Sequence, residues 1–361
     1  MKCLESSTCR LYLPRELLSE VLTRLPVKSL LRFKCVSKLW VDLINCPCFI
    51  RSHLDNSKRR GRINIKIGRG FSISNYFHTL HLDLGNGYKA EARNLTLPLD
   101  HHGLVAGTCN GLVCLLGPPH EPVVFWNPST QQYRHGPLLE SYECGFGYDQ
   151  NSQDYKFVTV VTGNFHDRWQ TCKIYSLKSS SWCYQHDFYN DLFLVSTLVF
   201  ASSVVHWVYS NRFGDRGSIV AVDLGTNKAP RSLSFPPGPF QYRFVKNWKL
   251  DSLNDSLCAL YYDYNQQVDV WMMKNADDKS WGKLFSLSAS VDILSWSPGL
   301  VAYAEDGRKV LILNHGVLQW YDIEKEKVVN DVDVLGDGDG DADSDSSIHE
   351  TFTFYESLVP L

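Results

Sequence analysis

The stretch VVFWNPSTQQYRHGP, residues 123–137, consists of an aromatic and β-branched segment, a polar turn and a second segment that can pair back on the first. Val, Phe, Trp and Tyr side chains fit the pleated, half-buried surface of a sheet, whereas Asn, Pro and Ser favour a turn. The pattern therefore predicts a β-hairpin.

The same pattern recurs along most of the chain. Six hairpin-like units begin at Phe77, Val123, Cys172, Ser218, Val268 and Val317. Their starts are about 46 to 50 residues apart, which is the length that four strands and their turns need and lies near the kelch period. Short apolar runs between the units, such as GLVCLL (111–116) and KVLILN (309–314), supply the remaining strands. The sequence predicts a mainly β fold, a six-bladed β-propeller; five or seven blades, or a distorted sandwich, remain alternatives.

The last residues predict how the propeller closes. TFTFYESLV, residues 351–359, reads as one more strand, and pairing it with the first blade would remove an exposed sheet edge. Deleting this strand should therefore destabilise the whole domain.

The acidic segment before it, residues 331–350, is predicted as a disordered loop. It has too little apolar surface to offset the entropy of ordering the chain. Its carboxylates imitate a calcium loop at Asp339, Asp341, Asp343, Asp345 and Glu350. Because Ser344 replaces the turn glycine and no flanking helices are apparent, no metal site is predicted.

The first 54 residues have a different, helical pattern. Leu17 and Val21 lie four residues apart, as helical periodicity requires, and a second helix begins at Pro26. Ser37 is placed to cap a third helix, and Pro47 begins a last short turn. Three short helices bury little by themselves. From the pattern alone, the remaining apolar surface is covered either by the rest of this chain or by a partner protein.

The segment from Leu13 to Leu54 resembles an F-box from end to end. It carries the family's two Leu-Pro pairs, a Ser-Leu-Leu-Arg-Phe run (29–33), Val-Ser-Lys followed by Trp40, and a closing Pro-x-Phe. The resemblance implies that this module, residues 10–54, binds the Skp-family adaptor of a Skp–cullin–F-box ubiquitin ligase and, through it, the cullin–RING core. It also implies adaptor contacts, some of which pack inside the F-box instead, at Leu13, Pro14, Leu17, Val21, Leu25, Pro26, Leu30, Leu31, Val36 and Trp40.

The β region is similar to the F-box-associated domain of plant F-box proteins. The similarity runs from about residue 103 to 333 and rests on NPST (127–130), GFGYDQNSQDYKFV (145–158), IYSLKSSSW (174–182) and VHWV (205–208). It implies a domain, residues 63–361, that recognises an unidentified protein substrate. The stretch DNSKRRGR, residues 55–62, is predicted as a polar linker, whose cations form a solvated surface, an acidic-partner patch or a nuclear import signal.

Composition and charge narrow the classes of function. The formal net charge is −3, so the chain lacks the basic excess of a nucleic-acid or membrane-surface binder. The 11 cysteines are odd in number and lie mostly in apolar runs, and the first residues lack the apolar stretch of a signal peptide. We therefore expect a cytoplasmic or nuclear protein with reduced, buried free thiols.

Enzyme and metal motifs are incomplete. The Cys-Pro-Cys at 46–48 lacks the spacer of a zinc site, the Asp-His-His at 100–102 has no companion cluster, and no Gly-x-Ser-x-Gly occurs. Among the predicted inner strands His206 is the main titratable side chain, and a structural role suits it better than catalysis. We predict a non-catalytic substrate receptor without cofactor or metal; a scaffold outside ubiquitination and a propeller enzyme are the alternatives.

Overall fold

The computed structural model describes most of the chain. Its described residues are 14–68, 76–83, 89–98, 104–162, 169–189, 193–194, 196–211, 213, 216–226, 228–237, 245–262, 267–275, 280–288, 299–304, 307–314, 317–335 and 350–361. Leu13, the Asp-His-His at 100–102 and residues 336–349 of the acidic segment lie outside them.

Four helices open the described chain. They are α1 (Arg15–Leu22), α2 (Val27–Phe33), α3 (Lys38–Ile44) and α4 (Pro47–Arg59). A proline precedes each of the first two, and α3 is capped as predicted. The hydroxyl oxygen of Ser37 accepts a hydrogen bond from the Trp40 amide at 3.3 Å.

The last helix corrects two expectations. Pro47 begins a helix of 13 residues, not a short turn, because proline is well tolerated in a first turn. Only two residues separate this helix from strand β1 (Arg62–Gly68), so residues 55–62 do not form an irregular linker. Ile50 and Leu54 pack against the β domain, and this buried face stabilises a helix whose other side is polar.

The helices enclose a small core of their own. The rings of Phe33 and Trp40 meet edge to face beside it, with centroids 5.3 Å apart. Its buried members are Leu18, Leu22, Val27, Leu30, Leu43, Ile44, Phe49 and, from the far end of the sequence, Leu358. The helical module therefore shares its core with the domain that follows.

Among the described residues, six sheets follow and form six blades. Blade 1 contains β1, β2 (Tyr76–Asp83), β3 (Lys89–Thr96), β25 (Asp333–Leu335) and β26 (Glu350–Phe354). Blade 2 contains β4 (Leu104–Cys109), β5 (Leu112–Leu116), β6 (Pro122–Asn127) and β7 (Gln132–Leu138). Blade 3 contains β8 (Cys144–Asp149), β9 (Asp154–Thr162), β10 (Trp169–Ser176) and β11 (Ser181–Tyr189).

The second half of the ring repeats this arrangement. Blade 4 contains β12 (Phe193–Leu194), β13 (Val199–Ala201), β14 (Val204–Ser210), β15 (Gly217–Asp223) and β16 (Arg231–Leu233). Blade 5 contains β17 (Trp248–Leu253), β18 (Ser256–Tyr262), β19 (Gln267–Asn275) and β20 (Ser280–Ser288). Blade 6 contains β21 (Gly299–Tyr303), β22 (Lys309–Asn314), β23 (Val317–Asp322) and β24 (Lys327–Asp331).

The six blades confirm the predicted propeller. The predicted hairpin units are the third and fourth strands of the blades, namely β2–β3, β6–β7, β10–β11, β15–β16, β19–β20 and β23–β24. The strands that line the central channel are β4, β8, β13, β17, β21 and β26. The sequence repeat therefore corresponds to the two outer strands of every blade.

The ring closes as the sequence predicts. β26 pairs antiparallel with β1, from Asn64 opposite Phe354 to Gly68 opposite Glu350. β26 thus becomes the innermost strand of blade 1, although the next three strands of the sheet, β1, β2 and β3, come from the start of the domain. This pairing removes the edge that blade 1 would otherwise expose.

The predicted disordered segment is wrong at its beginning. Asp331 ends β24, and residues 333–335 form β25, which pairs parallel with β3 at Lys89–Glu91. The physical reason is that the outer strand of blade 1 offers unpaired backbone groups that a passing chain can satisfy.

The longest motif of the β region, residues 145–158, has a structural role. Asp149 ends β8, and its carboxylate caps the following turn by accepting the Ser152 amide at 3.3 Å. The Lys156 ammonium lies 3.4 Å from this carboxylate and donates to the Leu224 carbonyl oxygen of blade 4 at 2.6 Å. The motif therefore joins blades 3 and 4.

Candidate functional site

Helices α1 to α3 expose large apolar side chains that their own core does not cover. Leu17 and Val21 are 50% and 56% exposed and lie one turn apart on α1. Val36 and Leu39, at the entry to α3, are 60% and 50% exposed. We name these four residues the exposed apolar set. Such a set beside a well-packed core is typical of a surface that binds another protein.

The same helices are basic. From Val21 to Val41 the sequence has no acidic residue and five cations, which are Arg24, Lys28, Arg32, Lys34 and Lys38. Arg24 pairs with Glu20 at the surface, where an ion pair adds little stability. Apolar side chains among cations fit a partner surface that is apolar and acidic.

A central channel runs along the propeller axis, and its end away from the helices holds a cavity of about 230 Å³. The inner strand of every blade contributes to the lining, through Val105, Cys144, Val199, Leu250, Leu300 and Phe352. We name this the far cavity. None of its described lining residues belongs to a helix.

The opposite end of the channel is bordered by α4. Lys58 and Arg59 line a second cavity there, of about 500 Å³, together with the turns that join the inner strands to their neighbours. Lys58 Nζ donates to Asn110 Oδ1 at 2.8 Å, and Arg60 donates to the Arg24 carbonyl oxygen. Two cations of the predicted linker are therefore engaged within the molecule.

The far cavity contains one acidic side chain among its described lining residues, Asp251. Its carboxylate accepts the Leu300 amide at 2.9 Å and the Ser252 amide at 2.8 Å. Burial raises the pKa of Asp251, and the Lys249 ammonium acts in the opposite direction. Because Leu300 belongs to the next blade, this carboxylate joins blades 5 and 6. Sequence reasoning missed it, since a single Asp in an apolar strand has no motif.

His206 lies outside both cavities. It is buried on β14, the second strand of its blade, and it lines neither end of the channel. Burial lowers the pKa of His206 to about 3, and the Arg231 guanidinium acts in the same direction. A neutral, enclosed imidazole fits the structural interpretation of this residue.

The rim around the far cavity carries exposed aromatic and aliphatic side chains. Leu104 begins the inner strand of blade 2 and Tyr142 precedes that of blade 3, and both are half exposed. The Tyr142 hydroxyl donates to the Gly117 carbonyl oxygen at 3.4 Å. Phe213, between β14 and β15, is 79% exposed at the same end of the propeller. Aromatic side chains of this kind are enriched in protein interfaces.

The described cysteines are free thiols. Four of them, Cys114, Cys144, Cys172 and Cys258, are buried, and burial raises the pKa of both Cys144 and Cys172 to about 12. In the described part of the chain, no group of three His, Cys, Asp or Glu side chains is placed to hold a metal ion. No described helix is long and apolar enough to span a membrane.

Comparison with known families agrees with this division of the chain. The F-box domain family matches residues 11–52, and the family described as F-box associated beta propeller domain matches residues 91–361. This chain belongs to the F-box proteins with an F-box-associated propeller. F-box proteins of this architecture serve in general as substrate receptors of Skp–cullin–F-box ubiquitin ligases.

This F-box protein has relatives in Arabidopsis thaliana. The F-box protein CPR1 is 30% identical over 88% of this chain and 83% of its own length. The F-box/kelch-repeat protein At3g23880 is 30% identical over 81% of this chain and 85% of its own length. Among solved structures, TolB from Acinetobacter baumannii aligns with a TM-score of 0.50 at 11% identity, over 89% of this chain and 73% of that chain. The last comparison supports the fold alone.

The predicted adaptor contacts of the F-box divide by exposure. Those on the surface are Pro14, Leu17, Val21, Pro26 and Val36. Those half-buried against the F-box core are Leu25, Leu31 and Trp40. Leu30 is 0% exposed and lies in the F-box core, so it is one of the predicted residues that pack inside the F-box instead.

Sequence reasoning missed Leu39, which belongs to the exposed apolar set. A signal was present, because α3 has five apolar residues among seven, more than one buried helix face takes. Leu43 and Ile44 fill the F-box core, and Leu39 is left at the surface of the first turn.

Proposed function

We propose that this F-box protein is a non-catalytic receptor that presents a protein target for ubiquitination and proteasomal degradation, in the cytoplasm or the nucleus. The observation that carries the proposal is the exposed apolar set, Leu17, Val21, Val36 and Leu39, on an otherwise packed F-box. These side chains bind an apolar groove of a Skp-family adaptor, and the adaptor links the receptor to a cullin–RING core.

Burial of the exposed apolar set supplies the affinity for the adaptor. Each side chain contributes about 1–3 kcal/mol when it is fully covered, and central anchors contribute most. Four such side chains, with Pro14 and Pro26 beside them, can offset the entropy lost on association. The surrounding cations speed the encounter with an acidic adaptor surface.

The target binds at the end of the propeller away from the helices. Support comes from the position of α4, since Lys58 and Arg59 border the other mouth of the channel. The far end offers the far cavity and the exposed side chains of Leu104, Tyr142 and Phe213. Loops on such a rim set specificity, and the scaffold below holds them.

The receptor contributes proximity to the reaction. It holds the target and the charged conjugating enzyme in one complex, which raises the effective concentration of a target lysine at the ubiquitin thioester. No residue of the receptor makes or breaks a bond in this scheme, and no cofactor is needed.

Co-purification tests the proposal against a scaffold that acts outside ubiquitination. Tagged receptor purified from plant cells should bring down both the Skp-family adaptor and the cullin, detected by immunoblot. A Leu17→Ala, Val21→Ala variant should lose both, whereas Val328→Ala, which changes an exposed valine of blade 6, should keep them. Recovery of the adaptor without cullin would favour the scaffold.

A further inference from the structure

The segment after β26, residues 355–361, lies between the F-box and the propeller, and we name it the joint segment. Leu358 is buried in the F-box core beside Val27 of α2. The next residue, Val359, is buried in the core between blades 2 and 3, together with Leu54 of α4. One short segment therefore contributes to the cores of both modules.

A hydrogen bond fixes the joint segment on the F-box side. The Val27 amide, the first N–H of α2, donates to the Glu356 carboxylate at 3.2 Å. Pro26, which precedes it, supplies no side-chain cap. The acceptor for an N–H that the helix itself leaves unpaired thus comes from the joint segment.

Asn127 fixes the joint segment on the propeller side. Its fully buried side chain donates through Nδ2 to the carbonyl oxygens of Ser357, at 3.0 Å, and Val359, at 2.9 Å. Its Oδ1 accepts the amides of Ser129, at 2.9 Å, and Thr130, at 3.3 Å. Any shift of the segment would leave a buried polar atom without its partner.

A glycine lets the joint segment approach the propeller backbone. Gly111, in the turn between β4 and β5, has φ of +83°. A Cβ there would lie 2.3 Å from Ser357 Cβ and 2.6 Å from the Tyr355 carbonyl oxygen. No side chain larger than hydrogen fits, so the segment packs directly on the turn.

Without these contacts, the connection between the modules has hinge character. α4 reaches β1 through Arg60 and Gly61, and Gly61 has φ of +60°. Among the described residues, the contacts of α4 with the propeller that would remain include the packing of Ile50 and Leu54 and the Lys58–Asn110 hydrogen bond. These contacts come from α4, the helix that lies next to Gly61.

We propose that the joint segment holds the F-box at a fixed orientation to the propeller, and that Glu356, Leu358 and Asn127 are positioning residues for ubiquitin transfer. The consequence for transfer rests on the proposed function; the fixed orientation does not. A target lysine is modified only while it is held near the conjugating enzyme. An F-box free to turn spreads the target over a larger volume and lowers its effective concentration.

The first test measures orientation in the free, full-chain receptor. Two exposed cysteines, Cys35 after α2 and Cys183 on β11, take spin labels, one on each module. Four other cysteines, Cys3, Cys9, Cys46 and Cys48, are replaced by serine, because Cys46 is only partly buried and Cys48 is exposed. Pulsed electron–electron double resonance should then give a narrow distance distribution.

The positioning variants should broaden that distribution. Glu356→Ala with Leu358→Ala removes the carboxylate acceptor and the apolar anchor, and Glu121→Ala, at an exposed turn of the propeller, is the matched control. A distribution as narrow as that of the wild type would overturn the proposal. If calorimetry shows that the double variant does not fold, Glu356→Ala alone is measured, and the same narrow distribution would overturn the proposal.

The second test measures transfer in a reconstituted ligase, with the receptor's own propeller lysines as acceptors. The double variant at Glu356 and Leu358 should bind the adaptor with an affinity within about twofold of that of the wild type. Ubiquitin should be transferred to more lysines, and the rate of transfer to the lysine that the wild type modifies fastest should fall several-fold. An unchanged pattern of modified lysines would overturn the role in transfer. Failure of the wild type to bind the adaptor would overturn the proposed function instead, and the distance measurement would still decide the orientation.

Discussion

The hydroxyl of Thr108 donates a hydrogen bond to the carbonyl oxygen of Thr353 at 2.6 Å, across 245 positions of sequence. Thr108 lies on the inner strand of blade 2, and Thr353 lies on the inner strand of blade 1. The bond therefore crosses the seam where the propeller ring closes. It shows that blade 1 meets its neighbour through a strand from the other end of the sequence.

Removing the apolar anchor of the closing strand should destabilise the whole propeller. Phe354 is 3% exposed and packs with Trp126 and Leu97 beside blade 2. Phe354→Ala should lower the free energy of unfolding by about 3–5 kcal/mol, the usual cost of a large cavity in a core. Urea unfolding followed by tryptophan fluorescence measures the change. The control is Phe352→Ala, at a partly exposed phenylalanine of the same strand, which should lower the free energy of unfolding much less. Equal losses in the two variants would contradict the closure.

The buried Lys156 should stabilise the contact between blades 3 and 4. Its ammonium satisfies the Asp149 carboxylate and the Leu224 carbonyl oxygen. Lys156→Met keeps the apolar volume but leaves both acceptors without this donor, so we expect a loss of about 2 kcal/mol. Thermal and urea unfolding measure this loss, and Lys327→Met, which changes an exposed lysine, is the control. If Lys156→Met has the same free energy of unfolding as the wild type, the buried ion pair contributes nothing to stability.

The stability of the receptor should fall below neutral pH because of His206. Burial lowers the pKa of His206 to about 3, whereas an imidazole in the unfolded chain has a pKa near 6.5. Between these values the unfolded state binds a proton that the folded state does not, so the free energy of unfolding decreases as the pH decreases. The loss from this one group is about 2 kcal/mol at pH 5. Urea unfolding measures the free energy of unfolding at pH 7 and pH 5, and the decrease between them should be smaller in His206→Asn than in the wild type. An equal decrease in both proteins would contradict the burial argument.

Much of this architecture can be predicted from local sequence patterns. The features that could not be predicted depend on contacts between residues far apart in the sequence. The hairpin units were predictable because each joins two segments with β-branched or aromatic residues through a polar turn, as at Asn127 to Gln132. Leu30 and Leu39 could not be told apart by sequence, since both are leucines on short helices and only packing buries one of them. The contact of Leu358 with the F-box core joins the two ends of the sequence, and no periodicity reports such a pairing.

Adaptor binding should depend on salt through the cations of α2 and α3. Lys28, Arg32 and Lys38 are exposed in a stretch without acidic residues. Raising the salt concentration from about 0.05 M to about 0.5 M should slow association several-fold and change dissociation little, because salt screens the steering field. Stopped-flow measurements on the wild type and on Lys28→Gln, Arg32→Gln test this. An association rate with the same salt dependence in both would show that these cations do not face the adaptor.

Calorimetric titration of a purified Skp-family adaptor into the full-chain receptor tests the central claim most directly. The account predicts a one-to-one complex, weakened by roughly 2–4 kcal/mol in Leu17→Ala, Val21→Ala, whose melting temperature stays close to that of the wild type. Val328→Ala, which changes an exposed valine on the propeller, should bind as the wild type does. A wild-type receptor that gives no binding heat at about 10 μM, or a double variant that binds with unchanged affinity, would contradict the account.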